Sequence, residues 1–204
     1  MPKSDKQCPG IKRFKQTLKE KNLSLWKKHI DDKDKARKEK SSGKTKAIQN
    51  ECQMLCMDPQ AVKVASPLNA TKMYFKTKLG CHNFTIYNST NHQATCCWFS
   101  ETDCGLSAST FVSCILDYLE RHCVGENLPI IIYSDGCEFP NRNNQMANAL
   151  LNFSIVHGIS IIQKYLTKGH TQMECDSAHS CIERKLKNRV IKLPSDYVKA
   201  STET

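Results

Sequence analysis

The chain has 204 residues, of which 39% are hydrophobic and 25% are charged, and its formal net charge is +10. This is enough for one domain with a sizeable core and an appendage. No apolar run approaches the roughly 20 residues that a membrane span needs, and the first ten residues lack the apolar core of a secretory signal. We therefore expect a nuclear or cytoplasmic protein without a membrane partner, whose 12 cysteines are reduced.

The positive charge is concentrated in the first quarter of the chain. Residues 1–46 hold 16 Lys and Arg against 6 Asp and Glu, whereas the rest of the chain holds 14 of each kind. This asymmetry separates a basic N-terminal arm or linker, residues 1–50, from a neutral domain, residues 51–193, and a C-terminal tail, residues 194–204.

The arm is expected to be helical or disordered, with a surface helix from Lys12 to Lys40 that Ser41-Ser42-Gly43 breaks. Its basic residues could contact DNA phosphates. A solvated helix without a ligand is the competing interpretation, because Lys without interleaved aromatic residues is a weak nucleic-acid signal. The candidate DNA-binding residues are Lys12, Arg13, Lys15, Lys27 and Lys28 in the arm and Arg142 in the domain.

The first half of the domain predicts strands. Cys52–Met57 is a short apolar run that ends at Asp58-Pro59, as a strand stopped by proline does. Residues 70–79 are compatible with a helix or a strand. Two segments rich in aromatic and β-favouring residues, His82–Tyr87 and Ala94–Phe99, flank a polar turn cluster and predict a hairpin.

Helices and strands alternate in the second half. Apolar residues at helical spacing predict a helix over Ser107–Cys123, and Ile130–Tyr133 is an apolar strand of the kind buried on both faces. A helix over Gln145–Val156, a strand over Ile159–Leu166 and a helix over Thr171–Lys187 follow. The order predicts an α/β fold, a mixed sheet flanked by helices.

This order of elements is similar to that of the ribonuclease-H-like fold, which includes retroviral-integrase and cut-and-paste transposase cores. That fold carries acids on its first strand, just after its fourth strand, and on or before its last helix. The matching residues are Asp58, Asp135 and Asp176. Carboxylates suit two divalent cations about 4 Å apart, which clamp the attacking and leaving oxygens of a phosphodiester. The resemblance thus implies that these acids are catalytic and bind two Mg²⁺ or Mn²⁺ ions.

Each acid also has an ordinary interpretation. Asp58 could begin a turn before Pro59, Asp135 could belong to a loop, and Asp176 could complement a helix dipole. Glu174 is assigned to a capping box that starts at Thr171, which leaves Asp176 as the third ligand. The secondary candidates for ligands or proton carriers are His170, His179 and Glu183.

Two motifs make the resemblance more specific. Tyr133–Cys137 followed by Asn141–Asn143 is similar to S-D-x-C-G-G-Q-N-K-N, and Gly169–Glu183 is similar to G-H-T-x-x-E-x-D-x-x-H-S-x-I-E. Both patterns occur in an uncharacterised family of metazoan proteins thought to derive from DNA transposons. A third segment, Met57–Val62, resembles the family's F-D-L-Q-x-V. The resemblance implies a transposase- or integrase-like domain that cleaves or joins DNA phosphodiesters and forms homo-oligomers.

One loop departs from the family pattern. Glu138-Phe139-Pro140 stands where the family has two glycines and a glutamine, and Phe and Pro stiffen the segment. The alternative function is therefore a catalytically inactive relic that binds DNA or protein. A structural domain with neither DNA nor metal is a third hypothesis.

Overall fold

The computed structural model describes residues 9–65, 79–166 and 173–203, and the side chains of residues 9–21 are outside this description. The described helices are α1 (Pro9–Ile48), α2 (Ala108–His122), α3 (Asn144–His157), α4 (Glu174–Leu186) and α5 (Pro194–Thr202), with a short 3-10 helix at Val124–Glu126. The described strands are β1 (Gln53–Pro59), β2 (Lys63–Ala65), β3 (Leu79–Asn88), β4 (Gln93–Ser100), β5 (Ile130–Asp135) and β6 (Ile161–Leu166). The chain divides into two compact units between Ser41 and Ser42.

The six described strands form one mixed sheet with β1 at its centre. β1 pairs antiparallel with β3 and parallel with β5, and β6 continues the parallel part beyond β5. β3 and β4 form the predicted antiparallel hairpin, while the short β2 pairs with the first residues of β3. The predicted α/β fold with a mixed sheet flanked by helices is confirmed.

Each face of β1 contributes to a separate core, because successive side chains of a strand point to opposite faces. Leu55 and Met57 are fully buried in the core that α2 and α3 cover. Met54 and Cys56 are fully buried on the opposite face, against the end of α1 and the start of α4. Asp58 follows in this second series, so the strand directs it to the α4 side of the sheet.

The helix break predicted at Ser41-Ser42-Gly43 is wrong, because α1 continues to Ile48. A Cβ on Gly43 would stand 3.0 Å from the hydroxyl oxygen of Tyr133, so glycine lets the helix lie close against the sheet. Ala47, one turn later, is fully buried. Packing of this last turn on the sheet outweighs the cost of a helical glycine, about 1 kcal/mol.

Residues 194–202, predicted to lie in a tail, form α5, which packs on the same unit. The ring of Tyr197 stacks on Trp98 with centroids 5.2 Å apart, and its hydroxyl donates to the carbonyl of Val64 at 2.7 Å. Residues 70–78, which were ambiguous between helix and strand, lie outside the described residues. No helix among the described residues is long and apolar enough to cross a membrane.

Candidate metal centre

Asp58 and Asp135 stand next to each other at the ends of two neighbouring parallel strands. β1 and β5 pair in register through Met57 and Ser134, the residues that immediately precede the two acids. Asp135 is two residues beyond Tyr133, which lies in the core on the α4 side, so both acids belong to the same face of the sheet. Two strands that are far apart in the sequence thus bring two carboxylates to one edge.

Helix α4 adds two more donors to this edge. Its first turn is anchored by the fully buried Cys175, whose thiol donates to the carbonyl of Cys56 at 3.4 Å. Asp176 and His179, three residues apart, lie on one face of the helix. One ligand atom from each of Asp58, Asp176 and His179 lies within 4.8 Å of the other two. These three side chains could hold a metal ion.

The carboxyl group of Asp58 has a pKa raised to about 7. Burial is the main cause, and the negative charges of Asp135 and Asp176 add to it. Several acids in a partly buried site make ionisation costly, and a bound cation would offset that cost. A strongly raised carboxyl pKa at a strand end is also a feature of functional sites.

His179 is held between two strands of the sheet. Its Nε2 lies 3.0 Å from the hydroxyl of Thr85 on β3, and its Nδ1 lies 4.0 Å from a carboxylate oxygen of Asp58 on β1. Burial lowers the pKa of the imidazole and outweighs the opposing attraction of Asp176 and Glu183. The neutral ring is therefore favoured, and that is the form that binds metals.

Asp135 is oriented by the loop that follows it. The side-chain amide of the fully buried Asn141 donates to Asp135 Oδ1 at 2.5 Å, and the backbone N–H of Cys137 donates to the same oxygen at 3.3 Å. The amide of Asn143 closes the loop by donating to the carbonyls of residues 138 and 139. The loop that departs from the family pattern thus still holds the carboxylate in place.

The capping role predicted for Glu174 is wrong. Met173 is extended, the helix begins at Glu174, and the carboxylate of Asp176 accepts the backbone N–H of Met173 at 3.1 Å. Glu174 instead accepts the thiol of Cys56 at 2.9 Å and pairs with Lys44 of α1 at 2.6 Å. Asp176 therefore caps the helix with its Oδ2 and also belongs to the group that could hold a metal ion, while Glu174 joins α4 to α1 and β1.

The secondary candidates fall in different surroundings. His179 is part of the centre, as described above. Glu183 accepts a hydrogen bond from the buried Gln60 at 3.0 Å and pairs with Lys63, so its carboxylate is held by a polar network at β2. His170 lies outside the described residues, as does Thr171, the predicted start of the capping box.

The candidate DNA-binding residues are spread over the chain. Lys27 and Lys28 are exposed on α1. The guanidinium of Arg142 lies 5.7 Å from the centre of the Tyr165 ring. Lys12, Arg13 and Lys15 lie within α1, in the segment whose side chains are outside the description.

Sequence reasoning missed two residues that orient site groups, Thr85 and Asn141. Asn141 had a signal, because it belongs to the motif that follows Asp135. Thr85 had none: a threonine in a β-rich segment is ordinary, and only the pairing of β1 with β3 sets it directly opposite Asp58.

Comparison of the sequence with protein-family models gave no match, and comparison with curated proteins gave none either. The function is therefore inferred from the geometry and chemistry of the metal centre and from the motifs that surround it.

Proposed function

We propose that the domain is a transposase- or integrase-like nuclease core of the ribonuclease-H-like fold, derived from a DNA transposon, which cleaves or joins DNA phosphodiesters with divalent cations. One observation carries the proposal. Asp58, Asp135 and Asp176 come from three distant parts of the sequence, and the charges of the latter two raise the pKa of the first. The mixed sheet supports the fold assignment, since its central strand bears the first acid.

The donors of this centre fit Mg²⁺ or Mn²⁺. Carboxylate oxygens are the preferred ligands of these hard cations. Within the described part of the chain, the hydrogen bonds to Asp135 go to Oδ1, which leaves Oδ2 for a ligand, and the cap formed by Asp176 uses its Oδ2. Divalent ions bound here would polarise the phosphodiester and stabilise the attacking and leaving oxygens.

The residues of the domain supply the negative charge of the site and hold the acids in position. Asp58 stands between β5 and α4, next to both other acids, so its carboxylate would help to hold divalent cations. Asn141 fixes the orientation of Asp135, and the buried Cys175 fixes the start of α4. The site is therefore organised before a substrate arrives, which reduces the cost of assembling it around the phosphodiester.

The basic arm would supply DNA affinity that does not depend on sequence. Lysines such as Lys27 and Lys28 lie exposed on a long helix, as phosphate-binding residues must. Homo-oligomerisation is part of the same proposal, because transposase cores usually act as multimers, and the proposed location is nuclear or cytoplasmic.

Nicking of supercoiled plasmid DNA tests the proposal. We expect nicking in Mg²⁺ or Mn²⁺, none in a chelator, and a loss of about 100-fold or more for Asp135→Asn, since even groups that only support ligands are worth 10- to 100-fold. Asp117→Asn is the matched control, because Asp117 is a half-exposed acid on α2 paired with Arg121. Equal nicking by Asp135→Asn and the unaltered protein would reject the assignment.

The second candidate function is an inactive relic that binds DNA or protein. The observation that favours it is the loop after Asp135, where Phe139 is half exposed and packs edge-on against Phe111 with ring centroids 6.0 Å apart. In the loop that follows Asp135, an aromatic ring replaces the flexible glycines of the family pattern. Salt-sensitive DNA binding without cation-dependent nicking would select this function over the first.

A further inference from the structure

The centre contains a nitrogen donor in addition to its carboxylates. Among the described residues, the side chains whose ligand atoms all lie within 4.8 Å of one another are Asp58, Asp176 and His179, and Asp135 does not belong to this set. We infer that these three side chains form one cation position with two oxygens and one imidazole nitrogen, and that it selects Mn²⁺ over Mg²⁺. The inference concerns the site of the proposed function, but cation binding itself needs no DNA.

The spacing of the three atoms suits one cation. Ligand atoms at about 2.0–2.4 Å from a metal lie at most about 4–5 Å from one another. The three atoms of this centre already meet that limit, and two of them are carried by adjacent turns of α4. A small movement of a side chain, rather than of a strand or helix, is enough to close the coordination sphere.

The sheet register sets which nitrogen of His179 would face a cation. Thr85 on β3 is directly opposite Asp58 on β1, and its hydroxyl lies 3.0 Å from Nε2 of the ring. That hydroxyl also lies 3.7 Å from the thiol sulfur of Cys96, so it can donate to sulfur while it accepts the Nε2–H. Nδ1 then carries the lone pair, and it is the nitrogen beside Asp58.

This arrangement is the one that metal-binding histidines commonly have. The ring nitrogen that does not bind the metal donates to an oxygen, which fixes the tautomer and the ring plane. Thr85 is fully buried and His179 keeps only 12% of its side-chain surface exposed, so neither group is free to reorient in solvent. Thr85 is therefore a positioning residue for the nitrogen ligand.

The nitrogen sets the preference between the two cations. Mg²⁺ demands near-ideal octahedral oxygen coordination and gives up its waters reluctantly, whereas imidazole suits transition-metal ions. Replacing one oxygen ligand by imidazole therefore favours Mn²⁺. Carboxylate oxygens suit both Mg²⁺ and Mn²⁺, so the imidazole is the ligand that separates them.

Electron paramagnetic resonance of Mn²⁺ bound to the full chain tests the inference. We expect saturable Mn²⁺ binding with a ¹⁴N coupling from imidazole in the pulsed spectrum, and displacement only by Mg²⁺ in excess over Mn²⁺. His179→Asn should abolish the nitrogen coupling and weaken Mn²⁺ binding by about 10-fold or more. His157→Asn is the matched control, because His157 lies on α3 and pairs with Glu120 at 2.9 Å.

Two substitutions of Thr85 show whether its hydroxyl positions His179 or whether its side chain only packs in the core. Thr85→Val keeps the shape and removes the hydroxyl, so the nitrogen coupling should weaken and Mn²⁺ affinity should fall about 10-fold. Thr85→Ser keeps the hydroxyl and should restore both. The reverse order, with Val retaining the signal and Ser losing it, would show a packing role and overturn the assignment of Thr85. This pair of variants also tests whether the imidazole of His179 binds Mn²⁺ if His179→Asn fails to fold.

The outcomes distinguish this inference from the proposed function. A Mn²⁺ signal without nitrogen coupling, or one that His179→Asn leaves unchanged, overturns the inference even if the protein nicks DNA. Nitrogen-coupled Mn²⁺ without nicking in any cation supports the inference and rejects the proposed function.

Discussion

Asn141 donates a 2.5 Å hydrogen bond to Asp135, so a fully buried amide in the loop holds the carboxylate at the end of β5. The hydrogen bond ties the loop to the end of the strand, although residues 138–140 of the loop differ from the pattern that the sequence resembles.

Asn141→Ala should weaken nicking by about 10- to 100-fold, because an unsupported ligand loses its orientation. The unfolding free energy should fall by about 1–3 kcal/mol, the cost of a lost buried hydrogen bond. Plasmid nicking and denaturant titration measure the two effects. Asn152→Ala, on the exposed side of α3, should change neither. Full nicking activity in Asn141→Ala would contradict the positioning role.

Asp58→Asn should stabilise the cation-free protein, and more so as the pH rises from about 4 to 7. The folded-state pKa of Asp58 is about 7 against an ordinary 3.8, so the folded state holds its proton longer than the unfolded state. Ionisation of Asp58 therefore lowers the unfolding free energy of the unaltered protein as the pH rises from about 4 to 7, and the asparagine variant lacks this contribution. The difference should reach about 1–4 kcal/mol at pH 8.

Denaturant titrations of both proteins at pH 5, 6, 7 and 8 in the presence of chelator measure this difference. Asp117→Asn, which removes an exposed acid on α2, is the charge-matched control. If the difference in unfolding free energy between Asp58→Asn and the unaltered protein stayed constant from pH 5 to 8, the pKa of Asp58 in the folded state would not be raised.

Truncation should separate the arm from the domain at residue 42 rather than 51. A chain of residues 42–204 keeps the fully buried Ala47 and the pairing of Lys44 with Glu174, and should unfold cooperatively. A chain of residues 51–204 exposes the surface that the last turn of α1 covers and should lose about 2–4 kcal/mol. Urea titration of the two chains measures the difference, and equal stabilities would contradict the docking of α1.

The double substitution Lys27→Glu with Lys28→Glu should weaken DNA binding and reduce its salt dependence by a slope of about 2, because two phosphate contacts are lost. Fluorescence anisotropy with a labelled duplex at several salt concentrations measures both. Lys187→Glu, an exposed lysine after α4, is the control. An unchanged slope in the double variant would remove the arm from the DNA interface.

Much of the fold is readable from local patterns. The apolar runs of β1 and β5, the hairpin of β3 and β4, and the helical spacing in α2 each carry enough information to predict an element. What the sequence could not predict depends on contacts between distant residues. Gly43 reads as a helix breaker, and only its contact with Tyr133 explains why the helix continues. The helix α5 is short and polar, and its burial of Tyr197 depends on Trp98, almost 100 residues earlier.

The candidate site was predictable to a similar degree. Strand ends gave Asp58 and Asp135, because they follow runs that only a buried strand explains. The capping role was predicted for Glu174 and belongs to Asp176, since both acids can cap a helix start and the first helical residue depends on how Cys175 packs. The link between His179 and Thr85 joins α4 to β3 across 94 residues, and no local pattern encodes it.

The most direct test of the central claim is cation-dependent plasmid nicking by the unaltered protein and by Asp58→Asn, Asp135→Asn and Asp176→Asn, each assayed in Mg²⁺, in Mn²⁺ and in chelator. We predict that the unaltered protein nicks DNA with either cation and that each substitution reduces nicking by about 100-fold or more. Nicking that persists in all three variants, or in chelator, would contradict a metal-dependent centre built on these acids.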